Sequence, residues 1–221
     1  MKYENITIIG TSHISIDSIK EVKLAIEREK PGIIALELDN KRFQSLISKK
    51  QKLKLSDIKY LGFKGFLMNL IGSYVERKLG KLVGVAPGSE MKMAIKLAKK
   101  YKLKIALIDQ DISVTLKKLT SSITLKEKLT FIKDLIKGLF IKDKLLKKID
   151  LRKVPEQEFI DEMINKVKQN YPSIHKVLIE ERNSIMSSKL KKLAEKNPES
   201  KILAIIGAGH KNEVIKLLSR N

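Results

Sequence analysis

Two short apolar runs near opposite ends of the chain finish in the same four-residue pattern, and that pairing narrows what the chain can fold into. Ile6-Thr7-Ile8-Ile9 leads into Gly10-Thr11-Ser12-His13, and Ile202-Leu203-Ala204-Ile205-Ile206 leads into Gly207-Ala208-Gly209-His210. Runs this short, rich in β-branched residues and without polar alternation, read as strands buried on both faces, the environment of a parallel sheet covered by helices. Gly10, Gly207 and Gly209 turn the chain sharply at the carboxyl end of each strand, and a histidine follows. Ligands of open parallel sheets bind outside that edge. Two of the three histidines of the chain are therefore expected on one functional rim.

Two further apolar runs behave alike. Ile33-Ile34-Ala35-Leu36 ends in Glu37-Leu38-Asp39 with Arg42 close behind, and Ile105-Ala106-Leu107-Ile108 ends in Asp109-Gln110-Asp111. Between these strands the spacing predicts helices. Ile16, Ile19, Val22 and Ile26 recur at helical intervals, with Ser15 as cap and Pro31-Gly32 as stop. Ala86-Pro87-Gly88 opens a helix that buries Met91, Ala94, Ile95, Ala98 and Tyr101 and carries Glu90 in its first turn. From Asp111 to about Asn197 only helical periods occur, with starts at Val154-Pro155-Glu156 and Tyr171-Pro172-Ser173. The reading is an α/β fold with a mostly parallel sheet built from both chain ends. A large helical insertion, about residues 111–197, separates the third and fourth strands within a single domain over residues 1–221.

Charge and composition remove several classes of function. Of 221 residues 46 are Lys or Arg against 25 Asp or Glu, a net charge of +21, and the arginines are only Arg28, Arg42, Arg77, Arg152, Arg182 and Arg220. A lysine field attracts nucleic acid or an anionic membrane surface without specifying either, whereas bidentate phosphate and base recognition favours arginine. Aromatic residues are 5% of the chain, too sparse for a base-stacking platform, so nucleic acid is disfavoured as a partner. Absence of cysteine excludes disulfides, thiolate nucleophiles and Cys-based zinc sites. No apolar run approaches the roughly 20 residues needed to span a bilayer, and no signal-peptide pattern opens the chain. A cytoplasmic or membrane-associated protein is expected.

Two amphipathic stretches stand out. Phe63, Phe66, Leu67, Leu70, Ile71 and Tyr74 form a stripe that packs on the core, covers the site or makes a contact in a homo-oligomer. Leu125, Leu129, Ile132, Ile136 and Phe140, with lysines at 126, 128, 133, 137 and 142, form a basic amphipathic helix whose apolar face is expected to pack on the core.

At the rim the strand ends gather imidazoles and carboxylates. Two histidines and a carboxylate, His13, His210 and Glu37, suit a divalent metal with open positions, which polarises carbonyls and acidifies bound water. Glu37 or a histidine could instead serve as a metal-free general base. Along the helix that starts after Pro172, Glu181 and Arg182 interrupt an apolar face of Ile174, Val177, Leu178, Ile185, Met186, Leu190 and Leu193. Charges in such a stripe either form a buried salt bridge or reach the rim, where Arg182 could bind a carboxylate or an oxyanion. The bland counterparts are capping by strand-end aspartates and hydrogen-bonded structural histidines, the role expected of His175. Neither Ser12 nor Ser89 lies in a nucleophile elbow, and Gly207-Ala208-Gly209 lacks the rest of a dinucleotide fingerprint.

Six elements in order make the chain resemble the TraB family of PrgY-like pheromone-shutdown proteins. They are Ile9-Gly10-Thr11-Ser12-His13-Ile14-Ser15, Ala35-Leu36-Glu37-Leu38-Asp39 with Arg42, Pro87-Gly88-Ser89-Glu90-Met91, Leu107-Ile108-Asp109-Gln110-Asp111-Ile112, Glu181-Arg182-Asn183 with Met186, and Ile206-Gly207-Ala208-Gly209-His210. The family is similar, more distantly, to Tiki proteins, erythromycin esterases and haem-binding ChaN. The resemblance implies metal-dependent cleavage, or else sequestration, of a peptide or small molecule. His13, Glu37 and His210 are then the catalytic and metal-holding set, and Arg182, Glu181, Asp39, Arg42, Glu90 and Asp109 the substrate contacts. The chain departs from the family pattern at Asn183, where Asp is frequent, and at Gln110, where Arg is frequent. PrgY-like members usually continue into C-terminal membrane helices, so the chain is expected to be a short member or a soluble part of one.

Overall fold

A computed structural model describes residues 5–12, 15–48, 86–140 and 155–220, with the side chains of 135–140 left aside. His13 and the Phe63 to Tyr74 stripe lie outside the described residues, as do Val154 and Lys142.

All four apolar runs are strands, β1 (Ile6–Thr11), β2 (Ile33–Leu36), β3 (Lys104–Leu107) and β4 (Ile202–Gly207). They form one parallel sheet in the order β1-β4-β2-β3. The last strand in the chain thus lies between β1 and β2, in register Ile8 to Ala204 on one side and Ala35 to Ala204 on the other.

Alternation along the strands assigns each face to its own helices. Ile9, Ile34, Leu36, Leu203 and Ile205 meet α1 (Ile16–Glu29) and α3 (Ser89–Lys100) through Val22, Ile26, Met91, Ala94, Ile95 and Ala98. On the other face Ile33, Ala35, Ile202, Ala204 and Ile206 meet α8 (Glu181–Lys196) and α9 (Ala208–Ser219) through Met186, Leu190, Ala194, Val214 and Leu218. This is the three-layer solution for strands with no polar face.

Local chemistry sets the helix ends as the sequence suggests. Ser15 Oγ accepts from the Ser18 N–H at 3.3 Å, and α1 stops at Lys30 with a left-handed φ of 47°. The N-cap of α3 is Gly88 at φ 76°, a conformation that costs an L side chain free energy. Tyr101 departs from expectation: it sits past the end of α3 and is exposed rather than part of the buried stripe.

Between β3 and β4 the described residues are helical: α4 (Ile112–Ser122), α5 (Leu125–Phe140), α6 (Gln157–Asn170), α7 (Pro172–His175), a π-helical turn over Lys176–Glu180, and α8. The sequence predicts one helix from Pro172 onward, and the π turn breaks it immediately before Glu181 and Arg182. One further departure concerns α5. Its apolar face is turned outward, with Leu125, Leu129 and Ile132 all exposed. Among the described residues no helix is long and apolar enough to cross a membrane.

Candidate functional site

Three strands, β1, β2 and β3, each lead into an acceptor, Ser15, Asp39 or Asp111, that caps the helix starting beside the strand's carboxyl end. Asp39, the N-cap of α2 (Asn40–Ile47), accepts from the N–H groups of Lys41 at 2.7 Å and Arg42 at 3.0 Å through Oδ1, while its Oδ2 accepts from Ile112 N–H at 3.3 Å. Asp111 caps α4 by accepting from Ser113 N–H at 2.7 Å and is paired with Lys41 at 3.2 Å. Burial alone would raise its pKa, but the bonds from Ser113 and Lys41 outweigh that and hold it below the ordinary value. Asp39 and Asp111 thus have capping roles whether or not they also touch a ligand.

Glu37 serves α9 in a less ordinary way, from a different strand. Its Oε2 accepts the Gly207 N–H at 2.5 Å, so a buried carboxylate lies at the positive end of that helix. The opposite oxygen, Oε1, is bound by Nη2 of Arg182. Arg182 also grips Asp109 in a fork, Nε to Oδ1 at 3.0 Å and Nη2 to Oδ2 at 2.8 Å. Arg42 adds a second guanidinium to Asp109 Oδ2 at 3.0 Å, and Gln110 N–H donates to its Oδ1 at 2.7 Å. Two carboxylates and two guanidinium groups therefore balance in charge inside the rim, the condition under which buried ions are tolerated. Burial by itself would lower the pKa of Arg182, yet Glu37 and Asp109 drive it upward, so the group is permanently cationic. The sequence leaves Arg182 with a choice between a buried salt bridge and the rim; it makes the bridge at the rim.

His210, in the first turn of α9, completes the cluster. Arg182 Nη1 lies 3.2 Å from its Nε2, and an arginine can only donate, so Nε2 is the accepting nitrogen of a neutral ring. Nδ1 then carries the proton and donates to Asn183 Oδ1 at 2.6 Å. Nε2 also stands 3.6 Å from Glu37 Oε1. Asn183 was passed over in the sequence as a site residue, although a buried amide in an otherwise apolar helix stripe is a signal that could have found it. Its Nδ2 is buried with no hydrogen-bond partner among the described residues.

Other expected contacts fall elsewhere. Glu181 pairs with Lys118 at 2.7 Å on the surface, and no described contact joins it to Arg182 or Asp109. Glu90 is buried in the first turn of α3. Gly10 packs under α9, where a Cβ would come within 3.1 Å of Ala208 Cα. An apolar concavity lined by Ile26, Lys30, Pro31, Tyr101 and Leu103 lies at the amino end of the strands, away from this chemistry.

The rim donors match part of a divalent-metal site. An unprotonated imidazole nitrogen and a carboxylate oxygen 3.6 Å apart match the donor separation of about 3.4 Å that bonds of roughly 2.1 Å give around a tetrahedral ion. Glu37 and His210 offer two of its ligands, but the Arg182 guanidinium spans the same two atoms, Nη1 toward Nε2 and Nη2 on Oε1, so an ion fits there only once that side chain has moved aside. Among the described residues no third His, Asp or Glu joins them as a ligand group, and His13 lies outside those residues.

A parallel three-layer sheet with buried carboxylates, an arginine and an oriented imidazole along its carboxyl rim defines an α/β protein with a single polar centre fed by both chain ends. The chain belongs to the TraB/PrgY/gumN family, whose model matches residues 2–221. It is similar to an uncharacterised protein of Methanocaldococcus jannaschii, with 39% identity over 98% of this chain and 54% of that protein. It is similar also to the TraB domain-containing protein of Homo sapiens, with 24% identity over 92% of this chain and 60% of that protein. The chain thus spans little more than half the length of these relatives.

Proposed function

We propose that the rim is a hydrolytic centre that cleaves a peptide, and that Glu37, His210 and Arg182 carry the chemistry. The observation that supports it most is the orientation of His210: Asn183 Oδ1 accepts the Nδ1 proton, and Nε2, which accepts from Arg182 at 3.2 Å, becomes a base or ligand beside Glu37 Oε1 when Arg182 turns to a substrate. An orienting partner on the far nitrogen is the usual support of a working or ligating imidazole. Glu37 and His210 would hold a divalent metal, with His13 as the third donor the sequence offers. Such an ion, when bound, supplies polarisation of the scissile carbonyl and a more acidic water. The chain's own residues do the remainder. Glu37, held by Gly207 N–H and Arg182, accepts the proton of the attacking water, and the Arg182 guanidinium faces the negative charge that develops on the carbonyl oxygen.

A second reading, capture of a peptide or small molecule without cleavage, is favoured by the engagement of Arg182. Its donors are shared among Glu37, Asp109, Leu178 O and His210. One experiment separates the two: incubate the protein with a peptide library, with and without added zinc or manganese and with chelator, and follow products by mass spectrometry. Metal-stimulated cleavage that disappears in Glu37→Gln and His210→Ala supports the hydrolase. Retention of intact peptide, insensitive to chelator, replaces it with the binder.

A further inference from the structure

Helix α5 is mounted back to front, and the way it is mounted identifies what its outer face meets. Thr124 and Glu127 form a reciprocal cap at its start. Thr124 Oγ1 accepts from Glu127 N–H at 3.2 Å, and Glu127 Oε2 accepts from Thr124 N–H and Oγ1–H, each at 2.8 Å. The other oxygen of Glu127 accepts the Ser173 N–H at 2.7 Å, at the start of α7. Two turns further on, the exposed Asp134 accepts from Tyr171 O–H through Oδ2 at 2.7 Å. Both acidic residues of this stretch thus share one side of the helix and bond to the start of α7. Leu125, Leu129 and Ile132 project from the opposite side, since roughly 100° per residue places them about half a turn from Glu127 and Asp134. Their exposures are 77%, 68% and 51%, far above what an apolar face packed on its own domain shows.

We propose that this face is a docking surface for an anionic lipid interface. Lys126 and Lys133 line one edge of the apolar stripe and Lys128 the other, all exposed. An apolar stripe bracketed by lysines, with the acids turned away, is the composition of a helix that lies in a membrane surface with its cationic heads among lipid headgroups. Sixteen residues make a helix of about 24 Å, suited to lying flat rather than crossing. A second copy of the chain is the poorer occupant, because it would bring three more lysines and another +21 of charge against the first set. The docking face is independent of the rim chemistry.

Vesicle co-sedimentation tests the assignment, with phosphatidylcholine alone and with phosphatidylcholine containing phosphatidylglycerol. The protein is expected to bind the anionic vesicles and to bind the neutral ones far more weakly. Replacing Leu129 and Ile132 together by Ser is expected to reduce anionic-vesicle binding at least tenfold with the charge unchanged. Replacing Lys126, Lys128 and Lys133 by Gln is expected to reduce it on the order of 100-fold, from about 1 kcal/mol per lysine near the surface. The same charge change at Lys92, Lys96 and Lys99 of α3 is expected to have a much smaller effect. All substituted side chains are exposed or on the exposed face, and circular dichroism checks that each variant keeps its helices. Equal binding by the Ser variant would show that the lysine field acts without the helix face and would overturn the proposal. So would no binding to anionic vesicles, or a dimer in solution that the Ser variant abolishes.

Discussion

The Arg182 guanidinium and the Glu37 carboxylate come from positions 145 residues apart and meet in direct contact at the carboxyl rim of the sheet. Glu37 is almost wholly buried, and Asp109 shares the same guanidinium. Removing Arg182 therefore leaves two buried anions facing each other, with only Arg42 remaining on Asp109. Arg182→Ala is expected to cost about 3–5 kcal/mol of stability, read by urea unfolding. Arg182→Lys keeps the charge but cannot make the two-pronged contact, so its loss is expected to be intermediate. A variant as stable as the parent would show that the pair is not what holds the rim.

Asn183 accepts the Nδ1 proton that Arg182 leaves on His210, and that bond has a direct spectroscopic reading. In protein carrying nitrogen-15 histidine, His210 is expected to show the Nδ1–H form near neutral pH. In Asn183→Leu the Nδ1 proton loses its acceptor while Arg182 still donates to Nε2, so the Nδ1–H form is expected to persist with its Nδ1 resonance shifted, together with a stability loss of about 1–3 kcal/mol. An unchanged spectrum would remove the orienting role.

The three rim glycines, alike in the sequence, separate in their tolerance of a methyl group. At Gly10 a Cβ would lie 3.1 Å from Ala208 Cα and from Lys211 Cδ, so Gly10→Ala is expected to destabilise by about 1–3 kcal/mol. At Gly207 it would press on Glu37 Oε2 at 3.2 Å, so Gly207→Ala is expected to disturb the carboxylate and any metal affinity more than the melting temperature. At Gly209 the nearest atom is Ile164 Cδ1 at 3.5 Å, ordinary contact within the first turn of α9. Gly209→Ala is expected to be neutral or stabilising by up to about 1 kcal/mol. Thermal unfolding of the three variants tests the order.

Acid should loosen the seat of α5. Burial would raise the pKa of Glu127, but its bonds from Thr124 and Ser173 outweigh it and bring the value to about 2 from an ordinary 4.5. A depressed folded-state pKa contributes stability above 4.5 that is lost as pH falls toward about 2. Tyr171 works in the other direction. Burial and its bond to Asp134 raise it to about 12 from 10, so that contribution is present below 10 and lost as pH rises through 12. The amide proton shifts of Thr124 and Ser173 are expected to titrate together near the lower limit, and in Glu127→Gln that titration should vanish.

Much of the architecture was legible because it is local. Apolar runs gave the four strands, and Ser15, Asp39 and Asp111 announced helix starts through chemistry that acts within three residues. Rim placement of Glu37, Asp109 and His210 followed from strand polarity alone, whereas Arg182, on a helix, was left between a buried salt bridge and the rim. What was not legible depends on partners distant in sequence. The order of strands is set by crossover packing, and the π turn before Glu181 by what its neighbours need. Periodicity showed that α5 has an apolar face but not which way it points, because the deciding bonds come from Ser173 and Tyr171. Asn183 carried a signal of its own, an amide within an apolar helix stripe, but its role depends on His210, 27 residues away.

The position of β4 between β1 and β2 has a consequence for how the molecule is made. Thr11 donates across to Ile206 from 195 residues away, so the central ladder has no second side until residues 202–207 have left the ribosome. Until then, among the described strands, β1 has no neighbour and β2 has β3 alone, each with an open edge of the kind that invites wrong pairing. Loop-closure entropy makes such distant pairing slow. Newly synthesised chains should therefore depend on chaperone protection longer than a sheet assembled in chain order would.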